Sequence, residues 1–89
     1  TASLFPGAPE LSLAQDARAD AVMPMVPVGS DLEPRVTLSA QALETARQTH
    51  VLIIGEDKKT ALAQAQSLSP IDAPIAQFLP NATVHWSPV

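Results

Sequence analysis

Two cations stand out among the 89 residues for their positions. Arg35 opens the segment PRVTLS directly after a proline-rich connector, and Lys58 comes three residues after the apolar run HVLIIG, His50 to Gly55. A guanidinium fork meets a phosphate or carboxylate bidentately, whereas an ammonium meets it as a mobile point charge. A helix that starts after a buried strand adds unpaired backbone N–H groups, which attract the same anions. In open α/β folds that turn lies at the carboxyl edge of a parallel sheet, where ligands bind. Residue type and position therefore point both cations toward an anionic ligand. A plainer reading stays open beside it, because Glu56 and Asp57 adjoin Lys58 and serve equally well as solvated first-turn acids paired locally with Lys58 and Lys59.

The other chemistry-bearing residues do not assemble in sequence. His50 and His85 have neither a second histidine nor a carboxylate at helical ligand spacing, so both read as structural and no metal is expected. Ser3, Ser39 and Ser67 lack the Gly-x-Ser-x-Gly elbow that exposes a hydrolase nucleophile. Cysteine is absent, which removes disulfides and thiolate metal sites. Five Lys and Arg stand against nine Asp and Glu, for a formal charge of −4 with no basic run, and this argues against a nucleic-acid partner. No apolar run approaches the roughly 20 residues a bilayer requires. No cationic stretch followed by an apolar one opens the chain, so the reading is cytoplasmic, without a membrane partner.

The elements that must position these residues follow from period and punctuation. A turn of helix is expected around Ala2 to Phe5, stopped by Pro6-Gly7, and another near Leu11 to Ala14. AVMPMVPV, Ala21 to Val28, is apolar, but Pro24 and Pro27 confine it to an edge strand or an extended lining segment. In PRVTLS, Val36 and Leu38 alternate against Arg35 and Thr37 with the period of a short half-buried strand. Ser39 is then the N-cap of a helix from about Ala40 to Gln48. HVLIIG reads as a strand covered on both faces, as in a parallel sheet. Ala61, Leu62, Ala65 and Leu68 follow it at helical spacing, with acids in the first turn. Pro74 opens a short helix with Ile75, Phe78 and Leu79, which Pro80 ends, and ATVHWS closes as a strand with Val84 and Trp86 on one side. The order of elements is that of an α/β fold. Nine prolines, few aromatics and an apolar Leu4-Phe5 pair so near Thr1 suit a piece of a larger α/β domain, with sequence expected upstream.

TASLFPG resembles the segment that directly follows an Asp-Gly-His triplet in 6-phosphogluconolactonases. PRVTLS resembles the arginine-bearing strand start of that family, VLIIGEDKK its strand and Gly-x-x-Lys turn, and ATVHWS its last strand, all in the family's order. The resemblance covers nearly all of this chain but only the C-terminal part of the family's domain. It implies the Rossmann-like parallel sheet shared with glucosamine-6-phosphate deaminase and ribose-5-phosphate isomerase. The implied activity is hydrolysis of 6-phospho-D-glucono-1,5-lactone in the cytosolic pentose phosphate pathway, without metal or cofactor.

The implied general base is the histidine of the triplet. It would stand just before Thr1, outside these residues, so the chain by itself is expected to be inactive and to need the N-terminal remainder of its polypeptide. Arg35 and Lys58 correspond to the family residues near the substrate phosphate. Thr1 and Ala2 would line the catalytic edge through their backbone. Lys59 departs from the family, which often has a small residue there. The related deaminases carry a glutamate four residues past Thr1, where this chain has Phe5. An apolar ring moves no proton, so the resemblance favours lactone hydrolysis over deamination or isomerisation. A non-catalytic binding domain is the remaining alternative.

Overall fold

The computed structural model describes residues 2–29 and 31–89. They form a small mixed α/β protein of two compact units, residues 1–46 and 47–89.

In the first unit residues 2–5 form no regular element, so the helical turn expected at Ala2 to Phe5 is absent. A β-turn follows instead. The Ala8 N–H donates to the Phe5 carbonyl (3.2 Å), with Pro6 at the second turn position and Gly7 at the third with φ +81°. This is the type II arrangement, in which proline presets φ and glycine accepts the left-handed backbone. The turn delivers the chain into α1, Leu11–Ala14, as expected. Leu11 and Ala14 pack with Ala8 and Met25 in a small core that Leu4, Phe5 and Met23 flank.

β1, Val22–Met25, pairs antiparallel with β2, Arg35–Leu38, from Val22 opposite Leu38 to Met25 opposite Arg35. Each is an edge strand of a two-stranded ribbon, the setting that tolerates Pro24. The phase of β2 is the reverse of the expected one. Thr37 is buried and Val36 is 65% exposed. The face carrying Arg35 and Thr37 lies against the N-terminal segment, whose Ser3 N–H donates to Thr37 Oγ1 (2.9 Å). That hydrogen bond requires an acceptor, which no valine supplies.

Ser39 caps α2, Ala40–Glu44, and its hydroxyl accepts from the Ala42 N–H. The helix ends four residues earlier than its expected limit. Thr45 and Ala46 donate to carbonyls three residues back, and the Thr45 hydroxyl also donates to the Ala42 carbonyl (2.6 Å). The last turn thereby tightens to 3₁₀ geometry and stops.

The second unit is a complete βαβ arrangement. β3, Thr49–Ile54, lies parallel to β4, Ala82–Ser87, and α3, Glu56–Ala65, is in the connection between them. The expected short helix near Pro74 is two 3₁₀ turns, Pro74–Gln77 and Leu79–Asn81, so Pro80 lies inside the second one. In α3 the apolar spacing is only partly used: Ala65 is buried and Leu62 half-buried, whereas Ala61 and Leu68 are exposed.

β3 is covered on one face rather than both. Thr49, Val51 and Ile53 are half-buried, while Leu52 is 76% and Ile54 66% exposed. Among the described residues no helix is long and apolar enough to cross a membrane.

Candidate functional site

The first unit joins two of the segments singled out in the sequence. Arg35 sits at the start of β2, half-buried, and its guanidinium carbon lies 5.5 Å from the centroid of the Phe5 ring. A ring face attracts the cation without using its N–H donors. The Arg35 Nε–H donates to the Glu33 carbonyl at 3.3 Å. Ser3 and Phe5 are thus fastened along one face of β2, Ser3 by Thr37 and Phe5 by Arg35. Neither Thr37 nor the ring contact was singled out from sequence. The signal for Thr37 was its place two residues from Arg35, on the same strand face. Ala2 is exposed beside this arrangement in the chain, and Thr1 lies outside the described residues.

The second unit joins the other two segments. Gly55 precedes α3 with φ +96°, a conformation that strains any residue with a Cβ. Its N–H donates to the Ser87 carbonyl (2.8 Å), and its own carbonyl accepts from Trp86 Nε1–H (2.8 Å) and from the Lys59 N–H (3.3 Å). No side chain caps α3, so the N–H groups of Glu56, Asp57 and Lys58 are its unpaired first-turn donors.

Lys59, where the resemblance expects a small residue, places its Nζ 4.2 Å from the centroid of the Trp86 ring. Lys58 is exposed and makes no ion pair among the described residues, so local pairing with Glu56 or Asp57 does not occupy it. The two cations are placed by different units: Arg35 by β2 and Lys58 by α3.

The histidines that looked separate in sequence meet in the structure. Parallel register sets His85 opposite Leu52, which puts His50 and His85 on one sheet face. His50 Nδ1 lies 2.8 Å from His85 Nε2, and His50 Nε2 lies 3.0 Å from Gln48 Oε1. Ring centroids 5.1 Å apart mean that the imidazoles meet edge to edge through this one hydrogen bond. Gln48 Oε1 only accepts, so His50 Nε2 donates to it; in the neutral ring Nδ1 then accepts from His85 Nε2–H. Among the described residues no three His, Cys, Asp or Glu side chains gather as a metal site would require.

A separate cleft, lined by Leu13, Asp16, Arg18, Ala19, Asp20 and Met23, contains none of the expected site residues. Its charges are partly spent on one another, with Arg18 Nε 3.6 Å from Asp16 Oδ1 at the surface.

No curated protein sequence matches this chain significantly. A family model does, along residues 1–86 and so through the first three segments described above and all but the last residue of the fourth. The chain belongs to the family of glucosamine-6-phosphate isomerases and 6-phosphogluconolactonase.

Proposed function

We propose that the intact protein hydrolyses 6-phospho-D-glucono-1,5-lactone to 6-phosphogluconate, and that these residues are the C-terminal part of its single catalytic domain. Sugar-phosphate chemistry follows from the family, which holds both isomerases and lactonases. The choice of lactonase rests on Phe5. At the position where the deaminases carry a glutamate, this chain has an apolar ring whose face meets the Arg35 guanidinium. Ring opening and isomerisation need a group that carries a proton between neighbouring atoms, and a phenyl ring cannot. Lactone hydrolysis needs a base to activate water and donors to stabilise the oxyanion formed at the carbonyl.

The base in this reading is the histidine of an Asp-Gly-His triplet preceding Thr1 in the full polypeptide. By the resemblance, Thr1 and Ala2 line the catalytic edge as sequence neighbours of that histidine, and Arg35 and Lys58 are the residues assigned to the substrate phosphate. Arg35 suits that role because its contact with the Phe5 ring spends no N–H donor, and a guanidinium fork meets phosphate oxygens bidentately. Lys58 suits it because its ammonium has no partner within its own unit. No metal or cofactor is invoked, and a cytoplasmic location belongs to the same proposal.

An assay of the intact protein tests it. Consumption of the phosphorylated lactone above its spontaneous rate, without ammonia from glucosamine 6-phosphate, is the expected result. Ammonia release or aldose–ketose conversion would replace the lactonase reading with the deaminase or isomerase one. Neither activity would leave a non-catalytic binding domain.

A further inference from the structure

We infer that Trp86 is the positioning residue of the anion-binding turn, holding the Gly55 carbonyl with its indole N–H and the Lys59 ammonium with its ring. The inference rests on the proposed phosphate role of Lys58. It adds a residue from β4, 28 positions further along the chain, that never touches the substrate.

Gly55 is where the turn is most mobile in principle, because glycine has the widest backbone freedom of any residue. In this structure neither its N–H nor its carbonyl is left free. Ser87 takes the N–H and Trp86 fixes the carbonyl from the same strand, at 2.8 Å each. The peptide planes on either side of Gly55 are therefore tied to β4. The first turn of α3 and its unpaired N–H groups take their direction from those planes.

The second contact of Trp86 sorts the two lysines. Adjacent residues on a helix point about 100° apart, so Lys58 and Lys59 cannot both serve one anion equally well. The ring draws Lys59 Nζ to 4.2 Å from its centroid. Lys58 remains the first-turn cation without a partner among the described residues. The large residue at position 59, unusual for the family by the resemblance above, is thereby accommodated without entering the turn.

The test separates the indole N–H from its ring in the intact protein. Trp86→Phe keeps a ring for Lys59 and removes the donor. Hydrogen exchange of the Gly55 and Lys59 amides is expected to quicken about 2- to 10-fold, the range for one lost hydrogen bond, with the amides of Val51 and Ile53 unchanged. KM for the phosphorylated lactone should rise by a similar factor with kcat within about twofold, as loss of uniform binding requires. Combining Trp86→Phe with Lys58→Ala should raise KM no further than Lys58→Ala alone. Trp86→Leu, which also releases Lys59, should exceed Trp86→Phe in both readouts.

Unchanged exchange at Gly55 and Lys59 would overturn the inference. So would quickened exchange with an unchanged KM, provided that Lys58→Ala raises KM. If Lys58→Ala leaves KM unchanged while exchange quickens, the phosphate role of Lys58 fails, and the positioning role built on it fails for that reason alone.

Discussion

Under the proposed function, Arg35 owes part of its fitness for a phosphate to the ring beside it. Arg35 is half-buried with its guanidinium carbon 5.5 Å from the Phe5 ring centroid, and that contact is worth roughly 0.5–1 kcal/mol at a partly exposed site. Phe5→Leu should therefore raise KM for the phosphorylated lactone about 2- to 5-fold, with kcat little changed. Arg35→Ala should raise it more, and Arg35→Lys should restore only part of the loss because an ammonium lacks the fork. Steady-state kinetics on the intact protein check all three. Gly55 gives a second prediction at this scale. A Cβ there would meet nothing within 4 Å, so the cost of Gly55→Ala is conformational rather than steric. Denaturant unfolding should show a loss of about 1–3 kcal/mol, the cost of holding a residue with a Cβ in a backbone region that is essentially glycine's alone.

At the scale of elements, β2 depends on a polar residue at its buried position. Thr37→Val keeps the shape and leaves the Ser3 N–H without its acceptor, which should cost about 1–3 kcal/mol. Thr37→Ser should recover most of it, and urea unfolding of the pair distinguishes the hydroxyl from the methyl. Ser39→Ala should cost about 1 kcal/mol through the α2 cap.

The same strand shows where sequence reading succeeds and where it stops. Cap, turn and strand signals are local: Ser39, Pro6-Gly7 and the β-branched run before Gly55 all identified their elements. Which face of β2 turns inward depends on Ser3 and Phe5, thirty or more positions away, and alternation alone is symmetric between the two faces. The His50–His85 contact was equally hidden, because it exists only through the parallel register of strands 35 residues apart. α2 misled in another way. Its apolar spacing continues past Glu44, but hydroxyl back-bonding by Thr45 ends it.

Over the whole molecule, each unit carries a two-stranded sheet with apolar side chains turned outward: Val22 and Val36 in one, Leu52 and Ile54 in the other. Parallel strands are ordinarily covered on both faces, and two strands alone are marginally stable in water. The isolated 89-residue chain is therefore expected to bind a hydrophobic fluorophore such as ANS, and Leu52→Thr with Ile54→Thr should weaken that binding. An isolated chain that stays dark would contradict the expectation. The same chain should hydrolyse no lactone above the spontaneous rate, because the proposed base is not among its residues.

The hold of β4 on Gly55 has a consequence in time as well as in space. Ser87 and Trp86 lie 32 and 31 residues beyond the glycine they restrain. Contacts so distant along the chain close late, after local helices and turns have formed. On the ribosome the strand, the glycine and the lysines are all synthesised well before Trp86 emerges, so the turn at Gly55 acquires its final geometry only when β4 docks.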